Sequence, residues 1–388
     1  MKSLGKPASG LRLERMRNSP LWNGEGFRNP HPSLPGLRDA TAQRPTLREF
    51  LRERGRRVPG GPLPSLDPRE AWRSAPADGL RATWLGHSTV LLELDGVRVL
   101  TDPVWGLRAS PLPGLGPRRF QPVPVSLDAL PPPHVVLISH DHYDHLDYPT
   151  IARLARGHAQ FVTSLGVGAH LEAWGVPARR IVELDWWESH TLPGAALRVH
   201  AVPSQHFSGR RPNDRNATLW SSMVLETDRH RVFFSGDTGL TPQYAEIAAR
   251  LGPFDLVMLE VGAFHPAWGD MHLGPVHALE ALELLGGGAF LPVHWGTFAL
   301  AMHDWDDPAE TLLELAPHRD VRLLMPRLGE PVEPAREFRL RPWWREAEGL
   351  PGAVPQVPAH HPAHHPAPQS VPDTPHGAAP GAPWRPAD

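Results

Sequence analysis

Six consecutive residues constrain this chain more than any other feature, because four of them can bind a metal ion. The segment 135–138 is a short apolar run, and after one serine it is followed by the sequence HDHYDH. Side chains alternate along an extended backbone, so His140 and His142 can point the same way. Asp144 and His145 come where the chain turns, and they can face a second point nearby. The pattern therefore predicts a buried strand that ends at a site for two adjacent metal ions.

The rest of the composition narrows the chemistry of such a site. The 388 residues include no cysteine, which excludes disulfides, thiolate metal sites, Fe–S clusters and a cysteine nucleophile. A formal net charge of −3 gives no overall attraction to nucleic acid or anionic membranes. No apolar stretch has the length of a transmembrane helix, and the first residues lack the apolar core of a secretory signal. We expect a cytoplasmic protein that binds no nucleic acid and whose metal ligands are imidazole nitrogens and carboxylate oxygens.

Proline and histidine are unevenly distributed, and this divides the chain into three parts. Residues 1–80 form an arm rich in proline and arginine, with a capping-box start for a short helix near 46–57. Residues 346–388 are a tail of proline, histidine and alanine that we expect to be disordered. Between them, 81–345 is predicted to be the catalytic domain. The basic helix of the arm leaves two interpretations open, a peripheral contact with a membrane and packing against the domain.

Short apolar runs alternate with helical patterns through the central part, which indicates sheets covered by helices. Strands are predicted at 89–94, 97–101, 134–139, 160–163, 180–184, 197–202, 219–226, 231–235, 255–260 and 289–293. Helices are predicted near 149–157, 167–174, 241–250, 275–285 and 308–316. The first two strands flank Asp95-Gly96, a two-residue turn typical of a hairpin.

The histidine motif and several segments around it resemble the metallo-β-lactamase-fold hydrolases. The resemblance is closest to the branch of N-acylphosphatidylethanolamine-hydrolysing phospholipase D and its bacterial relatives. The segments that carry it are WLGHST (84–89), LTDP (100–103), GPRRF (116–120), ELDWWE (183–188), PSQH (203–206), GDTG (236–239) and HWGTF (294–298). It covers about residues 80–330 and implies an α/β fold, the four-layer αββα sandwich.

The family pattern also implies the metal ligands. One ion would be held by His140, His142 and His206, the other by Asp144, His145 and His294, with Asp237 bridging the two. The last three ligands along the chain each follow a short apolar run, as ligands at the edge of a sheet should. Nitrogen and oxygen donors suit two Zn²⁺ ions, and Mn²⁺ or Fe²⁺ also fit them.

Three further residues have a predicted role at the site. The catalytic residues that we predict are Asp144, Asp237 and His272. His272 would donate a proton to the leaving group or hold a phosphate oxygen, against the plain interpretation of a histidine that begins a helix. His87 would line the metal pocket, and Asp102 would orient a ligand histidine rather than only form a turn before Pro103. Two interpretations are open for the four tryptophans beside the motifs: they line an acyl-chain pocket, or they belong to the core. The four are Trp186, Trp187, Trp268 and Trp295.

The implied function is that of a di-zinc hydrolase whose metal-bridging hydroxide cleaves a phosphodiester, with phospholipase D activity on an N-acylphosphatidylethanolamine-type phospholipid. The alternative is a lactonase or another carbonyl-ester hydrolase on the same two ions. A nuclease would need a basic surface, which the acidic charge balance disfavours. A metal-binding module without activity is disfavoured because all seven ligands are present. The expected partner is a small-molecule or phospholipid substrate, and the sequence carries no signal for an oligomeric state.

Overall fold

A computed structural model describes residues 2–31, 56–112, 114–265 and 271–348 of the chain. All of them fall within one compact unit, Met1–Val354. Most of the helix predicted near 46–57 lies outside the described residues, as does the predicted disordered tail from residue 349 onwards.

The described chain forms strands and helices in an order that begins with strands and then alternates. The strands are β1 (Leu80–Gly86), β2 (Thr89–Leu94), β3 (Val97–Thr101), β4 (Val135–Ile138), β5 (Gln160–Ser164), β6 (Ile181–Leu184), β7 (Ser189–Thr191), β8 (Arg198–Val202), β9 (Ser222–Glu226), β10 (Arg231–Phe234), β11 (Leu256–Glu260), β12 (Ala289–Val293) and β13 (Pro331–Val332). The α-helices are α1 (Gly10–Arg17), α2 (Tyr148–Leu154), α3 (Gly168–Ala173), α4 (Gln243–Leu251), α5 (Gly274–Leu284) and α6 (Asp307–Leu315). Short 3₁₀ turns lie at Lys2–Leu4, Ala71–Arg73, Leu127–Ala129, Ala178–Arg180, Ala316–Arg319 and Trp343–Glu348.

The strands make two mixed sheets. The first has the order β13-β1-β2-β3-β4-β5-β6, antiparallel from β13 to β3 and parallel from β3 to β6. The second has the order β12-β11-β10-β9-β8-β7, with β10, β11 and β12 parallel and the other pairs antiparallel. In both sheets, parallel strands place their carboxyl ends at a common edge, where the loops that follow them meet.

Burial on both faces explains why β4 is apolar throughout. Val135 and Leu137 pack into the core between the two sheets, whereas Val136 and Ile138 pack against the side that α2 and α3 cover. A strand buried on both faces reads as a continuous apolar run rather than an alternating one. The second sheet is covered in the same way by α4 and α5, through buried side chains such as Ile247 and Leu279. The layers are therefore helix, sheet, sheet and helix, which confirms the predicted αββα sandwich.

The sequence-based assignment lacks three strands, β1, β7 and β13. β1 has seven residues, all of them buried. β7 and β13 have three and two residues and form the outer strands of their sheets. α1 escaped prediction because it is rich in arginine and buries a single side chain, Met16. Tertiary contacts stabilise it instead, since Arg12 pairs with Glu172 and Glu183. Helices this short gain most of their stability from such packing.

No helix in the described ranges is both long and apolar enough to cross a bilayer.

Candidate metal centre

The seven predicted ligands meet where the edges of the two sheets face each other. The segment 140–145 follows β4 of the first sheet, and the remaining ligands follow strands of the second sheet, His206 after β8, Asp237 after β10 and His294 after β12. Five of the seven are at most 3% exposed, and these are His140, His145, His206, Asp237 and His294. His142 and Asp144 are partly exposed, so the site opens to solvent on their side.

Three histidines form the first cluster with one oxygen of Asp237. The Nε2 atoms of His140 and His206 lie 2.9 Å and 3.2 Å from Nδ1 of His142. Oδ2 of Asp237 is 3.8 Å from His140 Nε2 and 3.7 Å from His206 Nε2. Two nitrogens bound to one tetrahedral zinc ion at ordinary bond lengths would be roughly 3.3 Å apart. The three rings are therefore spaced as three ligands of a single ion.

The second cluster lies on the other side of Asp237. Its Oδ1 is 3.1 Å from His145 Nε2 and 3.2 Å from His294 Nε2. Oδ2 of Asp144 is 3.5 Å and 3.3 Å from the same two nitrogens. Each oxygen of the Asp237 carboxylate thus faces a different cluster, as a bridging ligand requires.

Unpaired polar atoms at the second cluster test whether a cation fits there. Nε2 of His145, Nε2 of His294 and Oδ1 of Asp237 are buried and have no hydrogen-bond partner. Buried polar atoms without partners are costly, and most proteins avoid them. A divalent ion among these three atoms would satisfy all of them at once, so the residues present fit a metal ion.

The charges of the buried groups are those of a cation site. Burial lowers the pKa of His140 and His206 well below the usual value, which keeps these rings in the neutral form that binds metals. Burial would raise the pKa of Asp237, but His145 and His294 hold it well below the usual value. Burial lowers the pKa of His294 as well, yet the carboxylates of Asp237 and Asp144 raise it to about 10. The carboxylates of the second cluster thus favour positive charge beside them, as the ligands of a divalent cation do.

Part of the backbone strain in the described chain lies at this site. His87 and His294 have φ values of 53° and 65°, in the left-handed region that side chains other than glycine rarely adopt. Gly236, just before Asp237, has φ 56°, and a Cβ there would lie 2.5 Å from Cβ of Ser139. Strained conformations persist only where the surroundings impose them, and they cluster at functional sites.

Asp102 lies behind the ligands and contacts the ring of His145. Its Oδ2 is 2.7 Å from Nδ1 of His145 and accepts a hydrogen bond of 2.6 Å from the hydroxyl of Ser139. Its Oδ1 accepts the backbone N–H of Ser139 at 2.8 Å. The carboxylate thus fixes the ring of His145 and the residue that precedes His140.

Replacing Asp102 by asparagine should weaken metal binding by about 10- to 100-fold. Both carboxylate oxygens of Asp102 contact His145 or Ser139, and the amide nitrogen of asparagine cannot accept a hydrogen bond in place of one of them. Chelator competition would measure this affinity. Asp95→Asn is a matched control, because Asp95 lies in the β2–β3 turn and forms hydrogen bonds there with His230 and Thr227 of the β9–β10 loop, away from the ligands. Equal affinities of the Asp102 variant and the control would refute the role of Asp102.

His87 and His272 also lie at the clusters. Nε2 of His87 is 3.0 Å from Oδ2 of Asp144, and His87 belongs to the second group of potential ligands. His272 can be grouped with Asp237 and His294, and its ring centre is 5.1 Å from that of His206. Both residues therefore face the site.

Sequence analysis missed Glu260, which holds His272. The side chain is fully buried at the end of β11, and its Oε1 is 3.2 Å from Nδ1 of His272. The same oxygen accepts the backbone N–H of Leu273 at 2.9 Å. An acidic residue at the end of an otherwise apolar strand was the available signal, because a buried carboxylate needs such partners.

The three described tryptophans of this set differ in burial. Trp295 is 3% exposed and stacks on Trp84 with ring centres 5.2 Å apart, and Trp186 is 9% exposed. These two belong to the core. Trp187 is partly buried against the core, and Trp268 lies outside the described residues.

Comparison with known proteins agrees with this geometry. Residues 97–295 match the family model described as "Beta-lactamase superfamily domain". An uncharacterized protein of Mycobacterium tuberculosis is 44% identical over 88% of this chain and 92% of its own length. The N-acyl-phosphatidylethanolamine-hydrolyzing phospholipase D 1 of Caenorhabditis elegans is 33% identical over 82% of this chain and 94% of its own length. Among solved structures, the metallo hydrolase Igni18 of Ignicoccus hospitalis shares the fold with a TM-score of 0.51 and 23% identity, covering 65% of this chain and 97% of Igni18.

Proposed function

The chain belongs to the metallo-β-lactamase superfamily of metal-dependent hydrolases, and on that basis we propose that it is a di-zinc phosphodiesterase acting on an N-acylphosphatidylethanolamine-type phospholipid. The observation that carries the proposal is the carboxylate of Asp237, which turns one oxygen towards each of two histidine clusters. The nematode relative that is named for this lipid matches most of its own length, which supports the substrate class.

Seven residues would hold the ions. His140, His142 and His206 would bind one, Asp144, His145 and His294 the other, and Asp237 both. Nitrogen donors with carboxylate oxygens and no thiolate favour zinc among the common metals. When bound, two zinc ions supply Lewis acidity, which makes water nucleophilic near neutral pH and offsets the negative charge of a phosphodiester.

The reaction would form a bond between the oxygen of water and phosphorus and break the bond from phosphorus to the ethanolamine oxygen. That oxygen leaves with a proton, and the products are phosphatidic acid and an N-acylethanolamine. His272 is suited to supply the proton, since Glu260 holds its Nδ1 and the ring lies on the clusters. Its side chain is 15% exposed, which gives the ring access to a substrate that enters from solvent.

Turnover of N-acylphosphatidylethanolamine tests the function directly. Purified protein with restored zinc should release phosphatidic acid from detergent-mixed micelles of this lipid, as measured by mass spectrometry. Phosphatidylethanolamine without the N-acyl chain is the matched substrate control and should turn over more slowly. Hydrolysis of lactones without any release of phosphatidic acid would replace the proposal with the carbonyl-ester alternative.

A further inference from the structure

The ligand loop, residues 140–146, carries four of the seven proposed ligands on backbone that belongs to no strand or α-helix. One side chain spans it from behind. Nη1 of Arg210 donates to the backbone carbonyl of Asp141 near the start of the loop, and at 3.0 Å to that of Leu146 at its end. The side chain of Arg210 thus ties together the two ends of the loop that presents the ligands.

Arg210 is itself buried, with 4% of its surface exposed. A buried cation is costly unless its donors are satisfied and its charge is compensated. The guanidinium lies 4.0 Å from the ring centre of Tyr143 and 5.1 Å from that of Trp174, both within the range of a cation–π contact. The hydroxyl of Tyr143 donates to the backbone carbonyl of Arg210, so the loop also holds the arginine in place.

The remaining donors of Arg210 bind the N-terminal segment, residues 2–6. Its Nε and Nη2 donate to the carbonyl of Ser3 at 3.3 Å and 2.7 Å. Around this contact, Trp174 Nε1 donates to the carbonyl of Lys2 at 2.7 Å, and the N–H of Lys6 donates to Nδ1 of His170 at 3.0 Å. The first residues of the chain are therefore bonded, through one guanidinium, to the loop that carries the ligands.

His170 makes a second connection between the same two segments. Its Nε2 is 3.5 Å from Oδ2 of Asp141, whose Oδ1 accepts the backbone N–H of Gly209 at 2.8 Å. Asp141 stands between His140 and His142, so a shift of its carboxylate would shift both ligands.

We propose that Arg210 and the N-terminal segment together form a brace for the ligand loop. Arg210 is a positioning residue that holds the loop in the conformation that binds metal, and the N-terminal segment holds Arg210 in place. The inference rests on the proposed metal centre, but not on the proposed substrate. Arginine suits the task because its planar fork carries donors in several directions at once. A lysine at this place could not reach the carbonyls of Ser3, Asp141 and Leu146 together.

Zinc affinity of the full-length protein, measured by competition with a chromophoric chelator, tests the brace. Arg210→Gln should weaken zinc binding by about 10- to 100-fold, the range for residues that orient metal ligands. Deletion of residues 2–6 should weaken it in the same direction, because Arg210 loses its partner on that side. Arg211→Gln is the matched control, since Arg211 donates to the carbonyl of Gly5 and its replacement leaves the bonds of Arg210 to Ser3 and to the ligand loop in place. Its affinity should stay within about twofold of the wild type.

Each outcome decides the proposal. Wild-type zinc affinity in Arg210→Gln would overturn it, and so would an equal loss in the Arg210 and Arg211 variants, which would indicate general loosening. If Arg210→Gln does not fold, the deletion variant decides by the same measure. The wild-type protein shows separately whether it binds two zinc ions and whether it cleaves the lipid. A protein that binds zinc but spares the lipid would refute the proposed substrate and leave the role of Arg210 intact.

Discussion

Replacing Asp237 by alanine is expected to lower kcat/KM by on the order of 10⁴-fold, the scale seen when a residue that acts in concert with the rest of a site is removed. The carboxylate turns one oxygen to each cluster, with Oδ1 3.1 Å from His145 Nε2 and Oδ2 3.7 Å from His206 Nε2. Alanine would also remove a counter-charge from the buried rings of His145 and His294, whose Nε2 atoms lie 3.1 Å and 3.2 Å from Oδ1 of Asp237. Bound metal should therefore fall together with activity.

Steady-state kinetics and elemental analysis of metal per chain measure the two effects. Asp228→Ala is a suitable control, because Asp228 is exposed between β9 and β10. It should keep wild-type activity and metal content. An Asp237 variant with wild-type activity and unchanged metal would show that the seven residues do not form the reactive centre.

Removing the metal with a chelator should have the second largest effect, on stability as well as on activity. An ion present at a thousand times its dissociation constant stabilises the folded state by about 4 kcal/mol. For two ions this corresponds to a fall of the melting temperature on the order of 10 °C or more on chelation. The buried atoms of His145, His294 and Asp237 that make no hydrogen bond give the reason, since a bound cation would provide each of them with a partner.

Thermal unfolding followed by circular dichroism, with and without zinc restored to the chelated protein, measures this shift. The Asp237→Ala variant serves as the internal control, because its melting temperature should respond much less to zinc. If chelation leaves both melting temperature and hydrolysis of the wild type unchanged, the clusters are not a metal centre.

The buried strand and the ligand segment 140–145 that follows it could be predicted from the residues alone, because both are local in sequence. The four residues of β4 are all apolar, so a buried strand before His140 to His145 could be inferred. The grouping of His206, Asp237 and His294 with them comes from the family resemblance, because β8, Arg198–Val202, is not a continuous apolar run. The αββα arrangement follows from the same succession of hairpin, strands and helices. These features depend on short stretches whose periodicity a single sequence displays.

The supporting contacts could not be predicted, because they join separate elements of the fold, in one case 207 positions apart in the chain. Arg210 bonds Ser3, and Glu260 bonds His272, and neither partner carries a local pattern that names the other. α1 shows the same limit, since its arginines pair with glutamates more than 150 positions away. Only the folded backbone brings such pairs together.

The division of the ligands between two sheets has a consequence for how the protein folds. His140 follows a strand of the first sheet and His294 follows a strand of the second, with about 150 residues of chain between the two ligands. Ions bound here would cross-link the two sheets. The full set of ligands comes together only after the sheets have packed against each other. Metal uptake should thus be the last step of folding. The rate at which the ions are released should reflect the rate at which the two sheets separate.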